Sequence, residues 1–262
     1  MSVSKPQQIQ DIFSIYAKQV ENIKPQQEND YEFEIRFMES KIDKLVHERI
    51  FKTLNTYGFR ISKTEYLLRI SPQVQGEKKL RIELDDITKI QEYCLSEQYP
   101  KTGKCVIKKS ILEDNKPIYN NEYLFRTSIQ KEEHVHHQNP LIKQLRDKWS
   151  NLKKYFRYLY RTTLIHPDFP HVKIDMSIVR SSKESITHFA RSNVLNEDEK
   201  YEVEIECVDL HRGNIKQANT VISHIKKTIK YILGAIQNTA FPVPFHKLEK
   251  VLGDYNQLCR LI

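Results

Sequence analysis

Along much of this chain apolar and polar residues alternate with a period of two, and in a few places they switch to a helical period. YEFEIRF, Tyr31 to Phe37, sets Phe33, Ile35 and Phe37 on one face and Glu32, Glu34 and Arg36 on the other, the signature of a β-strand. Far downstream YEVEIEC, Tyr201 to Cys207, repeats the pattern, with Val203, Ile205 and Cys207 opposite Glu202, Glu204 and Glu206. Between the two, further strands are predicted at RISKTEYLLRI, KKLRIEL, GKCVIKKSIL, NEYLFRTSIQKE, KKYFRYLYRTTLIH and HVKIDMSIVRS. Helical spacing predicts an amphipathic helix over 6–24 and a second through KIDKLVHERIFKTLNTYG, stopped at Gly58. A third runs from Asp86 through ITKIQEYCL, with Asp85 or Asp86 as its cap, and a fourth lies in NPLIKQLRDKWSNL. Two more close the chain over 214–261, divided by FPVPF.

The parity of the charges changes this picture. Lys79, Arg81 and Glu83 share a face, as do Lys104 and Lys108, and Arg126, Ser128, Gln130 and Glu132. Arg157 and Arg161 are in register with Leu159 between them, and Lys173, Asp175 and Ser177 lie opposite Ile174, Met176 and Ile178. On an open sheet such a face meets water, and uncharged polar residues and lysine dominate it. A single E-x-E strand fits that description. Two of them, joined by basic strands of matching parity, fit a sheet closed with its charged faces inward and its apolar faces covered by helices. Carboxylates two residues apart on a strand stand ~6.7 Å apart and repel by about 2.5 kcal/mol at an effective dielectric of ~20. Five of them on two strands need cations opposite, either guanidinium groups or hard divalent ions with oxygen ligands. The expected architecture is therefore α+β, a closed antiparallel eight-stranded β-barrel with a charged interior and a coat of helices. It forms one domain over 1–262 with a core of about 28–240, the helices of 214–261 either packing on the barrel or leading to a downstream domain.

Composition narrows the function. A formal net charge of +8 points to polyanionic partners such as RNA, nucleotides or phosphate. Four scattered cysteines without a C-x-x-C pair suit a reducing compartment, and neither a membrane-length apolar run nor a signal-peptide pattern is present, so the chain reads as soluble and intracellular. None of the six glycines builds a phosphate-cradling loop of the Rossmann or P-loop kind. His134, His136 and His137 cluster beside Glu132 and Glu133, but Pro140 marks a loop and no ligand of zinc spacing follows. KIDM at Lys173 resembles the nucleotidyltransferase K-x-D-G motif only superficially, lacking the glycine. Lys226, Lys227 and Lys230 read as a solvated helix face.

The two acidic strands and the basic strands between them resemble the triphosphate tunnel metalloenzymes, above all the RNA 5′-triphosphatase domains of fungal and large-DNA-virus mRNA capping enzymes. The likeness covers about 28–240 and rests on E-x-E at Glu32 and Glu34 and E-x-E-x-E at Glu202, Glu204 and Glu206. It implies metal-dependent removal of the γ-phosphate from triphosphate-ended RNA, the first step of capping, with Mg²⁺ or Mn²⁺ held by Glu32, Glu34 and Glu206. Glu202 and Glu204 would hold waters of the metal's hydration shell or orient the attacking water. Arg81, Lys108, Arg126, Arg157, Arg161 and Lys173 would face the phosphates, Asp175 would orient Arg161, and Glu132, with Glu133 as competitor, would position or deprotonate the water. Leu159 departs from the family, which often carries a third basic residue there. The departure leaves open a missing phosphate contact or a shifted register using Lys153, Tyr155 and Arg157. Implied partners are 5′-triphosphate RNA, nucleoside triphosphates and a guanylyltransferase domain or subunit, without a membrane. The implied location is host cytoplasm or virus factory for a viral protein, the nucleus for a eukaryotic one. Alternatives are a tripolyphosphatase, nucleoside triphosphatase or thiamine triphosphatase of the same family, or a non-catalytic module binding phosphate or RNA ends.

Overall fold

A computed structural model describes residues 5–21, 29–74, 80–112, 116–136, 138–208 and 217–259. Its strands are β1 (Asn29–Phe37), β2 (Arg60–Pro72), β3 (Leu80–Leu84), β4 (Lys104–Ser110), β5 (Ile118–Asn120), β6 (Phe125–His134), β7 (Lys154–Ile165), β8 (Val172–Ser181) and β9 (Lys200–Cys207). The helices are α1 (Lys5–Glu21), α2 (Lys44–Thr56), α3 (Ile87–Ser96), α4 (Pro140–Asp147), α5 (Ala218–Gln237) and α6 (Phe245–Cys259). Every predicted element is present, and β5 is an addition. The expected parts over 22–24, 214–216 and 260–261, together with Lys78, Lys79 and His137, lie outside the described residues.

All pairings among the named strands are antiparallel, in the order β1-β9-β8-β7-β2-β3-β4-β6-β5, and β1 also pairs with β6. That last pairing, from Asn29↔Glu133 to Phe37↔Phe125, closes eight strands into a ring. It leaves β5 as an annex on β6.

Local chemistry sets the element ends. Asp43 caps α2 by accepting from the Val46 amide at 2.8 Å, and Asp86 caps α3 by accepting from Thr88 at 2.8 Å and Lys89 at 3.2 Å. Gly58 follows α2 at φ +95°, where a Cβ would stand 2.7 Å from His166 Nε2, so only glycine turns the chain into β2.

The apolar faces of the strands point outward and are covered in two patches. Helices α1, α2 and α5 contribute Phe13, Tyr16, Leu54 and Ile225 to a core with Phe33 and Ile35 of β1, Ile174 of β8 and Ile205 of β9. On the other side Ile90 and Tyr93 of α3, Ile142 and Leu145 of α4, and Trp149 cover Leu68, Ile82, Cys105 and Phe156. Covering both patches leaves the second face of every strand in the ring to the interior.

Candidate active site

That interior is charged. One cavity of about 300 Å³ is lined by Glu32, Glu34 and Arg36 of β1, Arg69 of β2, Arg81 and Glu83 of β3, and Lys108 of β4. Arg126, Gln130 and Glu132 of β6, Arg157 and Arg161 of β7, Lys173 of β8, and Glu204 and Glu206 of β9 complete it. The pairings place these side chains in cross-strand rows, with Glu34 opposite Glu206, Arg36 opposite Glu204, Lys173 opposite Glu206 and Arg69 opposite Glu83.

Glu34, Glu204 and Glu206 each bring a carboxylate oxygen within 4.8 Å of the others, and all three are buried. Burial pushes the Glu34 carboxyl up to about 7, and repulsion from Glu204 adds to it against the pull of Arg36. Burial also raises Glu206, with Lys173 opposing at 2.7 Å. Glu204 goes the other way: burial raises it, but Arg36 and Arg161 outweigh that and hold it at about 2. Three oxygen ligands carrying this much mutual repulsion suit a hard divalent cation such as Mg²⁺ or Mn²⁺.

Around the trio every acid has a basic partner. Lys108 donates to Glu32 at 2.6 Å and is paired with Glu132, which Arg81 also reaches at 3.4 Å. Arg36 bonds Glu204 directly and lies 3.5 Å from Glu34. Arg157 donates to both oxygens of Glu202, at 2.7 and 2.9 Å. Asp175, 1% exposed, accepts from Thr163 Oγ1 at 2.6 Å and pairs with Arg161 at 3.2 Å and Lys173 at 3.4 Å. Arg69 donates to Glu83 at 2.6 Å, and with Arg81 it keeps that carboxyl below its usual range despite burial.

Eleven of the thirteen candidate residues from the sequence therefore line one cavity. Glu202 and Asp175 stand behind the lining and hold Arg157 and Arg161 in place. Glu32 lies by Lys108 and Glu132 and is outside the carboxylate trio, whose third member is Glu204. Glu133 is exposed, as are His134 and His136.

Sequence reasoning missed Arg36, Arg69 and Glu83 as members of the site. Arg36 and Glu83 carried the signal, since each shares parity with residues that were singled out. Arg69 did not, because the adjacent Leu67 and Leu68 break the alternation of β2. Leu68 packs outward, while Leu67 turns inward onto Leu159 and Val179. The same small cluster accounts for Leu159. The register of Arg157 and Arg161 stands, and Leu159 between them belongs to an apolar row on the inner wall.

A second cavity of about 370 Å³ shares Arg69, Arg81, Lys108, Arg126, Gln130 and Arg157 with the first and is lined also by Ser71, Ser110, Pro117 and Ser128, which sets it as a mouth at the end of the ring where β2 and β4 finish. Among the described residues no carboxylate lines this mouth.

No protein-family model matches the chain, and no curated protein matches it in sequence. Solved structures do. The RNA triphosphatase domain of a trifunctional mimivirus mRNA capping enzyme superposes with a TM-score of 0.58 at 17% identity, over 88% of this chain and 99% of that one. Monoclinic and triclinic crystal forms of the mimivirus capping enzyme triphosphatase superpose at 0.56 with 15% identity, over 87% of this chain and 98% of theirs. The chain thus has the fold of a viral capping-enzyme RNA triphosphatase domain.

Proposed function

We propose that the ring is a triphosphate tunnel and that the protein is a metal-dependent RNA 5′-triphosphatase. The observation that carries this reading is the meeting, in one cavity, of the Glu34–Glu204–Glu206 trio with eight bases. A divalent cation held by the trio would neutralise charge on the γ-phosphate oxygens and polarise the phosphorus for attack. Arg161, fixed by Asp175, and Lys173, Arg81, Lys108, Arg126 and Arg157 spread the remaining phosphate charge. Glu132, kept in place by Lys108 and Arg81, orients the attacking water and takes its proton. The water oxygen bonds to the γ-phosphorus as its bond to the β–γ bridging oxygen breaks, giving a 5′-diphosphate end and orthophosphate. No covalent intermediate is needed.

In this reading the 5′-diphosphate RNA end passes to a guanylyltransferase, as a domain or a separate subunit. The neighbour's own trifunctional capping enzyme supports that arrangement. The test is phosphate release from triphosphate-ended RNA, ATP and tripolyphosphate with Mg²⁺ and with Mn²⁺. Release from RNA that EDTA abolishes is expected. Release that survives both Glu34→Ala and Glu204→Ala would show that the site is misplaced. Preference for tripolyphosphate would assign the chain to a small-substrate branch, and binding without release would make it an end-binding module.

A further inference from the structure

The strand that the alternation did not predict, β5, builds a rim on the basic mouth. On one edge β6 pairs with β4 from Val106↔His134 to Ser110↔Gln130, and then with β5 from Ile118↔Thr127 to Asn120↔Phe125. Its other edge is taken by β1. β5 therefore continues the lane of β4 past Ser110 and raises the wall at that end of the ring.

Residues directly opposite on paired strands project to the same face. Tyr119 is opposite Arg126, which lines both the mouth and the inner cavity. Its neighbour Ile118 packs on the outer core, which sends Tyr119 to the inner side, and Pro117, of the same parity, lines the mouth. Tyr119 is 49% exposed. A large aromatic ring thus stands half in solvent beside a mouth carrying five cations and, among the described residues, no carboxylate, while the acids line the cavity that shares those cations. A triphosphate entering here with its terminal phosphate toward Glu34, Glu204 and Glu206 keeps its inner phosphates among the cations. Its nucleoside stays at the rim.

We propose that Tyr119 is the nucleoside-recognising residue of the site, its ring stacking on the first base of a 5′-triphosphate-bearing nucleotide or RNA. The inference rests on the triphosphatase reading and adds to it a determinant that separates nucleotide substrates from inorganic polyphosphate. Aromatic stacking tolerates any base, since each presents a π-face.

The test compares wild type, Tyr119→Ala and Tyr119→Phe on triphosphate-ended RNA, ATP and tripolyphosphate, by phosphate release and by calorimetric binding without metal. Tyr119→Ala should raise KM and weaken binding about ten-fold for RNA and ATP, the loss of one stack. Its kcat, and both measurements on tripolyphosphate, should stay within two-fold, and Tyr119→Phe should behave as wild type. Unchanged values for RNA and ATP, or an equal loss on tripolyphosphate, would overturn the stacking role. So would wild-type binding of ATP and RNA no tighter than that of tripolyphosphate. If wild type releases no phosphate from any substrate but Tyr119→Ala still binds RNA ten-fold more weakly, the hydrolytic reading fails and the stack stands.

Discussion

The two faces of β9 are buried alike and built from opposite chemistry. Val203 and Ile205 are 0% exposed on the outer face, and Glu202 and Glu204 are 3% exposed on the inner one. The outer face is held by contact with apolar side chains from the helices, whereas the inner face is held by charge pairing, with Arg36, Arg157 and Arg161 set against its glutamates. A buried carboxylate without a partner costs several kcal/mol, so the inner face is stable only as a set. The difference teaches that burial does not tell a strand's core side from its site side. Outer positions carry stability one by one, while inner positions share their stability among partners.

The largest effect should come from splitting the trio. Glu204 bridges Arg36 and Arg161, so Glu204→Gln leaves two buried guanidinium groups undercompensated. It should lower stability by about 3–5 kcal/mol and phosphate release by about 10²–10³-fold. Glu34 sits among like charges, within 4.8 Å of Glu204 and Glu206. Glu34→Gln should cost the same in phosphate release yet leave the metal-free melting temperature unchanged or higher. Equal melting losses in the two variants would mean that pairing does not hold the inner face.

On the outer face the balance reverses. Phe33 is fully buried, its ring 5.1 Å from that of Phe13 and 5.7 Å from that of Tyr16. Phe33→Ala should cost about 3–5 kcal/mol and lower the melting temperature by roughly 10 °C. Activity per folded molecule at low temperature should stay within two-fold. A selective loss of activity without a melting shift would put Phe33 in the site and erase the distinction between the faces.

How much of this was legible before folding depends on the same distinction. The period of two located eight strands, and the parity of the charges told which faces turn inward, because residues such as Glu32, Arg81 and Glu204 alternate with apolar neighbours. β5 was invisible: three residues are too few for a period to show, and its pairing is set by β6 rather than by its own pattern. Arg69 was hidden where Leu67 and Leu68 stand on opposite faces of one strand. The grouping of Glu204 with Glu34 and Glu206 depends on strand register across β1 and β9, with Arg36 facing Glu204, and a linear pattern does not carry register between distant strands.

A smaller effect tests how each face treats a titratable group. Inner carboxylates are buried with cations beside them. His47 of α2 is half-buried on the outer side, its ring 5.2 Å from that of Tyr201, with its buried Nε2 lacking a hydrogen-bond partner among the described residues. Burial lowers its pKa from the usual 6.5 to about 4, against a weak opposing pull from Glu48. The folded state then binds fewer protons than the unfolded one between these values, so stability from this group is complete above pH 6.5 and is lost as pH falls toward 4. His47→Gln should flatten that fall by on the order of 1–3 kcal/mol, read from urea unfolding at several pH values across the window. The raised Glu34 carboxyl titrates with the opposite sign in both proteins, so it cancels in the difference. Parallel pH profiles for wild type and His47→Gln would mean that His47 takes up its proton in the folded state as readily as in water, and that the outer face is wetter than its packing implies.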